Sequence, residues 1–258
     1  MTVTLGFDIE EFDFPLEKGR RIDLDTQLDV SYEGFDYILA LLDSLKLKAT
    51  FYTTANFALH RPEIVLRASA AGHEIASHDY YHGMETPDPA GSRRVLEELT
   101  GRAVIGYRAP RLAAISSAEL SAAGFEYDSS VNPTWIPGRY NNMFSPRDIY
   151  KKEGLVVYPA SVAWPLRVPL FWIALHVMPL SLYKILTRTA LHRDGHLNLY
   201  FHPWEFSDRL SDKTFGVPGY ISGCSGSRLR VKFERLLRWL VERGCRFDTT
   251  GHYLGFNE

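Results

Sequence analysis

The chain has 258 residues, 45% hydrophobic and 23% charged, with 29 basic against 31 acidic residues and a net charge of −2. That balance suits a soluble globular protein able to bury a core without disulfide staples, and it offers no basic tail or stripe for nucleic acid. The two cysteines, Cys224 and Cys245, lack metal-ligand spacing and read as reduced thiols.

The first residues, MTVTLGFDIE, already alternate like a strand. No basic region precedes an apolar run, so no secretory signal is read and a cytoplasmic protein is expected, unless a leader has been removed. Asp8 and Glu10 share parity at the strand end and can face the same side. Residues 32–45 carry apolar positions at helical spacing, 49–53 read as a strand, and 62–71 as a short helix with Pro62 in its first turn. Residues 73–77 predict a strand, 89–100 a helix, and 103–107 a strand running into Arg108. Ser116 and Glu119 suggest a capped helix over 116–123. Residues 124–128 predict a strand, 131–153 a long loop, and 155–158 and 197–202 two further strands. An amphipathic helix over 228–243 and a last strand over 245–249 close the chain. This alternation, with no linker between halves, predicts one parallel α/β domain over residues 1–258.

His78-Asp79-Tyr80-Tyr81-His82 holds two imidazoles four residues apart. That spacing predicts a helical turn presenting both to one metal ion, half of a tetrahedral ligand set. Asp8, the His pair, Arg108, Asp128 and His202 all fall at or just past predicted strand ends, where α/β barrels and open sheets place their active sites. His60, His73, His176, His192, His196 and His252 read as structural or surface residues, and Glu11, Asp13 and Glu205 as solvated or structural. The apolar stretch 168–186 is broken by Pro169, His176, Pro179 and Lys184. It predicts a buried or groove-lining segment, with membrane-surface or lipid-linked substrate contact as the alternative.

The ordered motifs GFDIEE, SHDYYH, GYRAPR, YDSS and LYFHPWE resemble those of the polysaccharide deacetylases, the NodB-homology domains of carbohydrate esterase family four, over roughly residues 2–206. The resemblance implies a distorted (β/α) barrel of about seven parallel strands. It implies Asp8 as general base, His78 and His82 as metal ligands and Arg108 as the arginine orienting the base. It further implies the Arg111 amide as oxyanion donor, Asp128 as the carboxylate supporting the catalytic histidine, and His202 as general acid. The expected cofactor is a divalent metal ion, zinc first, with cobalt, nickel or manganese as alternatives. The expected substrate is an N-acylated sugar in a polysaccharide or its precursor. This chain departs from the family pattern at Ile9, where a second Asp usually ligates metal, and Glu10 is the expected substitute ligand. Asp79 replaces a Ser or Thr. Tyr200 replaces a Leu that lines the acyl pocket, which implies a shallower or differently shaped pocket. Deformylation or deacetylation of a lipid-linked sugar, another amide hydrolysis on the same fold, and an inactive glycan-binding barrel are the competing functions.

Overall fold

The computed structural model describes every residue except 84, 85, 139, 257 and 258. Its main sheet is built from β1 (Thr2–Ile9), β2 (Thr50–Thr53), β3 (Glu74–Ser77), β4 (Gly106–Tyr107) and β5 (Tyr127–Asp128). Two short antiparallel hairpins carry β6 (Trp135–Ile136) with β7 (Tyr140–Asn141), and β10 (Val162–Ala163) with β11 (Val168–Pro169). The sheet is completed by β8 (Tyr150–Lys152), β9 (Leu155–Val157), β12 (His196–Phe201) and β13 (Arg246–Asp248). The strand order is β12-β1-β2-β3-β4-β5-β9-β8, with β13 also on β1. All neighbours pair in parallel except β8, which returns antiparallel beside β9. The expected parallel α/β architecture is present as a curled sheet with helices outside it.

Strand parity separates the two faces of the sheet. On β1, Val3, Leu5, Phe7 and Ile9 enter the apolar layer beneath the helices, while Thr4, Gly6 and Asp8 lie on the other face. Phe51 and the run Leu197, Leu199 and Phe201 join the outer layer, where Phe7, Phe51, Phe201 and Phe233 meet edge-on, tilted or stacked. The inner face is polar and buried. Thr4 Oγ1 donates to Tyr158 Oη at 3.1 Å, Thr50 donates to Glu74 at 2.6 Å, and Tyr127 donates to Glu74 at 2.7 Å. Between β9 and β12 no ladder forms among the described residues. The gap is bridged by the Ser161 amide on the Asn198 carbonyl and by Asn198 Nδ2 on the carbonyls of Tyr158 and Pro159. That seam is what makes the barrel distorted.

The helix expected over 32–45 begins earlier, at Leu24, with Asp23 capping the Thr26 amide. A helix over Ala55–His60 was absent from the sequence reading. Several predicted strands are shorter than expected: 103–107 shrinks to Gly106–Tyr107 and 124–128 to Tyr127–Asp128. The expected loop 131–153 contains β6, β7 and β8. Stretch 168–186 folds into β11, a helix over Trp172–Val177 and the start of a helix over Leu180–Asp194, with Trp172, Leu175, His176 and Tyr183 buried. No helix among the described residues is long and apolar enough to cross a membrane.

Candidate active site

The C-terminal ends of β1, β3 and β12 deliver the site. Glu10, one residue past β1, places Oε2 3.1 Å from His78 Nε2 and 3.0 Å from His82 Nε2. One ligand atom from each of these three buried residues lies within 4.8 Å of the other two. Their chemistry, two imidazole nitrogens and one carboxylate oxygen, fits a divalent ion such as zinc with coordination positions left open. Both rings are held in the presenting orientation from behind. His78 Nδ1 lies 2.8 Å from the Arg108 carbonyl, to which it donates, and His82 Nδ1 lies 3.1 Å from Asp13 Oδ1. Trp204 Nε1 donates to Glu10 Oε1 at 2.9 Å, which leaves Oε2 for the histidines.

Charges within this cluster are strongly coupled. Burial by itself would raise the Glu10 carboxyl, but His82, His202 and His78 outweigh it and hold the group far below the usual carboxylate range. Burial opposes a charged His82, yet Glu10 and Asp13 push it up to about 9. A metal binding here would compete with the proton that Glu10 and Asp13 favour on His82.

The two histidines do not share a helical turn, which corrects the sequence reading. Asp79 takes a left-handed φ of 64° and the chain continues as an irregular loop. The cause is the Asp79 side chain. Its Oδ1 accepts from the amides of Tyr80 and Asp88 at 2.6 and 2.8 Å, and its Oδ2 accepts from the Tyr107 hydroxyl at 2.5 Å. Asp tolerates the left-handed region and competes for amides that a helix would need. The imidazoles nonetheless stack with centroids 5.7 Å apart.

Asp8 lies beside the cluster. Arg108 Nη1 donates to Asp8 Oδ1 at 2.6 Å, and the guanidinium is fully buried. Its other donors reach the Ser129 carbonyl and hydroxyl, and it stacks 3.8 Å above the Tyr52 ring. Gly6 makes this possible, since a Cβ there would sit 2.5 Å from Arg108 Nη1. Arg111 and the following Leu112 both hold positive φ, 55° and 53°, in the turn after Arg108, and the Arg111 side chain bridges Asp13 and Glu17. Asp128 does not stand behind His202. It accepts from the amide and hydroxyl of Ser130, whose oxygen in turn holds the Ala109 amide, so it shapes the Arg108–Arg111 turn.

His202 faces the cluster from β12, its Nε2 3.8 Å from Asp8 Oδ2 and 4.0 Å from Glu10 Oε1. Its Nδ1 donates to Glu205 Oε1 at 2.9 Å. His176 Nε2 donates to the other Glu205 oxygen at 2.8 Å. Burial disfavours protonated His202, but Glu10, Glu205 and Asp8 outweigh it and raise the group above its ordinary range. Asp13, His176 and Glu205 thus enter the site although the sequence reading set them aside. The E in HPWE, three residues after the histidine, was the available signal for Glu205.

The cavity here holds about 100 Å³ and is walled by Phe12, Phe171, Trp172, Tyr200 and Trp204. It opens past Asp13, Glu17, Arg111, Leu112 and Tyr140 into a larger groove of about 1030 Å³ that reaches Asp128, Asn142 and Lys152.

Fold and site together define an α/β barrel protein with a Glu-His-His centre flanked by a carboxylate and an imidazole. The model of the polysaccharide deacetylase family matches residues 26–128, a span that includes His78, His82, Arg108 and Asp128. The chain is therefore similar to that family, as its motifs indicate. No curated protein matches it. Among solved structures, it is similar to a candidate polysaccharide deacetylase from Mycobacterium smegmatis, at 21% identity and a TM-score of 0.58, covering 91% of this chain and 84% of that one. It is also similar to the PuuE allantoinase, at 18% identity and a TM-score of 0.57, covering 96% and 87%. A third is a family-four pseudoenzyme from Bacillus anthracis, at 12% identity and a TM-score of 0.53, covering 97% of this chain and 64% of that one. At these identities the likeness concerns the fold, and one fold carries all three descriptions.

Proposed function

We propose that this protein is a metal-dependent hydrolase that removes a small N-acyl group from an amino sugar in a polysaccharide or its precursor. The convergence of Glu10, His78 and His82 between Asp8 and His202 carries the reading. His78 and Glu10 each have their other polar atom hydrogen-bonded and His82 Nδ1 lies 3.1 Å from Asp13, which leaves one ligand atom apiece for a common point. A divalent ion held there supplies Lewis acidity, polarising an acyl oxygen and acidifying water. Asp8, pinned through one oxygen by Arg108, presents the other to take the proton of the attacking water. His202, held above its ordinary pKa, donates a proton to the departing amine. The Arg111 amide serves as oxyanion donor, a type of contact worth about 3 kcal/mol in the transition state. The acyl group is small. A volume of about 100 Å³ walled by aromatic rings has room for a formyl or acetyl group beside the cluster.

The test is acetate and formate release from N-acetylglucosamine oligomers with and without chelator. Chelator-sensitive release supports the reading. A metal-loaded protein that releases neither acid from any amino sugar sinks it and leaves the inactive barrel.

A lipid-linked sugar is the second reading. Phe144 is 93% and Leu166 78% exposed on loops, with Trp135 and Trp164 also exposed, and Phe144 adjoins Ser145, which lines the groove. Such apolar tips suit the interface of a bilayer carrying the substrate. Cosedimentation with anionic vesicles, abolished by Phe144→Ser with Leu166→Ser, would favour it.

A further inference from the structure

We infer that Glu205 and His176 are positioning residues for the acid imidazole, so that a buried His176–Glu205–His202 line does the work that the family pattern gives to Asp128. The inference rests on the hydrolase reading above.

Glu205 comes from the turn that follows β12, and His176 from the Trp172–Val177 helix. Both side chains are wholly buried, at 0% exposure. Glu205 collects three donors. His202 supplies its amide at 2.5 Å and its Nδ1 at 2.9 Å, both to Oε1, and His176 supplies Nε2 at 2.8 Å to Oε2. A buried carboxylate held on both oxygens by imidazoles has almost no rotational freedom. The consequence for His202 is specific. With Nδ1 committed to Glu205, only Nε2 can serve the cavity, and it points at Asp8 and Glu10. Packing enforces the same pose. The His202 ring stacks on Trp204 at 4.9 Å and meets Trp172 edge-on at 5.3 Å, and Trp172 also meets His176 edge-on at 5.8 Å. In the reaction, the proton leaves His202 Nε2 for the amine nitrogen as the C–N bond breaks. Glu205 takes no proton and steadies the imidazole through Nδ1–H.

The bland alternative is that this line only ties a helix to a strand. Leaving-group chemistry separates the two. An N-acetylglucosamine oligomer needs its amine protonated, whereas the 4-nitrophenolate of 4-nitrophenyl acetate leaves unprotonated. For Glu205→Gln we expect kcat on the oligomer to fall about 100-fold, the low end for general-acid catalysis, with KM within about threefold. Ester turnover should change less than about threefold by the same reasoning, because no acid is needed there. His176→Phe should give a weaker loss of the same kind, and His176→Gln, which can still donate to Glu205, should restore it. Equal losses on both substrates, or a selective loss in Asp128→Asn and not in Glu205→Gln, would overturn the assignment. A second readout needs no turnover. The His202 Nδ1 proton should be visible and shifted downfield in 1H–15N spectra of the wild-type protein, and lost in Glu205→Leu, which leaves no acceptor. Its persistence in that variant refutes the positioning role, whereas a wild-type protein that shows the proton but hydrolyses neither substrate refutes the hydrolase reading alone.

Discussion

At the scale of single residues, Asp8 and Arg108 share one buried ion pair, and that makes them unequal targets. Asp8→Asn keeps a hydrogen-bond acceptor for Arg108 and removes the base. Turnover should fall by at least about 100-fold, as for a lost general base, while metal content by atomic emission stays unchanged. Full activity in that variant would rule out the proposed role. Arg108→Ala strands a buried carboxylate and should cost about 3–5 kcal/mol of stability in chemical denaturation, in addition to abolishing activity. Gly6→Ala probes the same pair from behind, since its methyl would occupy the guanidinium's place. Loss of activity with the metal still bound is the expected result. These residues were legible in the sequence because charges at the ends of apolar strands have few structural uses. Glu205 left a local signal three residues after His202, whereas His176 and Asp13 left none, because their roles depend on which helix or loop packs beside which turn. An isolated His in an apolar stretch carries no sign of its partner 29 positions away.

Elements set the second scale. The helix over Leu24–Leu45 crosses the Pro203–Phe206 turn at Gly34, where a Cβ would lie 1.7 Å from the Pro203 carbonyl oxygen. Backbone cannot yield as a side-chain tip does. Gly34→Ala should therefore displace the turn carrying His202 and Glu205, costing at least about 2 kcal/mol by overpacking and lowering kcat more than KM. His73, ahead of β3, accepts the Ala49 amide through Nδ1 at 3.2 Å and packs edge-on against Phe51. Burial, with Lys48 adding to it, lowers its pKa to about 4. The native state holds His73 neutral while the unfolded chain binds a proton below about 6.5, so its contribution is complete above that pH and lost as pH falls toward 4. Denaturation midpoints should drop across that window by the equivalent of up to about 3 kcal/mol, and His73→Gln should flatten the dependence. The predicted helix through HDYYH failed at this scale. Spacing alone proposed a turn, but the Asp79 carboxylate claims the local amides first, and the two rings converge from a loop.

Across the whole molecule, the alternation of strands and helices was readable, while the seam was not. Periodicity reports that a segment is a strand, and it is silent on whether β9 pairs with β12 to close the sheet. The sheet is also uneven. β1 and β12 run in register from Thr2 with His196 to Phe7 with Phe201, but β3 and β4 share only Ser77 with Tyr107. Asp8, Glu10 and His202 stand on or beside the continuous side, and Arg108 and Arg111 follow the thin one. Local opening takes the fewest hydrogen bonds where the ladder is shortest. Native-state hydrogen exchange should therefore divide the catalytic mouth in two. Amides of Leu5–Phe7 and Leu197–Phe201 should exchange only through global unfolding, and those at 106–107 and 127–128 should exchange at least about ten times faster through local opening. A mouth with one fixed jaw and one breathing jaw can admit a bulky sugar while the thin side is open, and because the Arg108 carbonyl orients His78 and its guanidinium pins Asp8, the same closure that grips the sugar would complete the site.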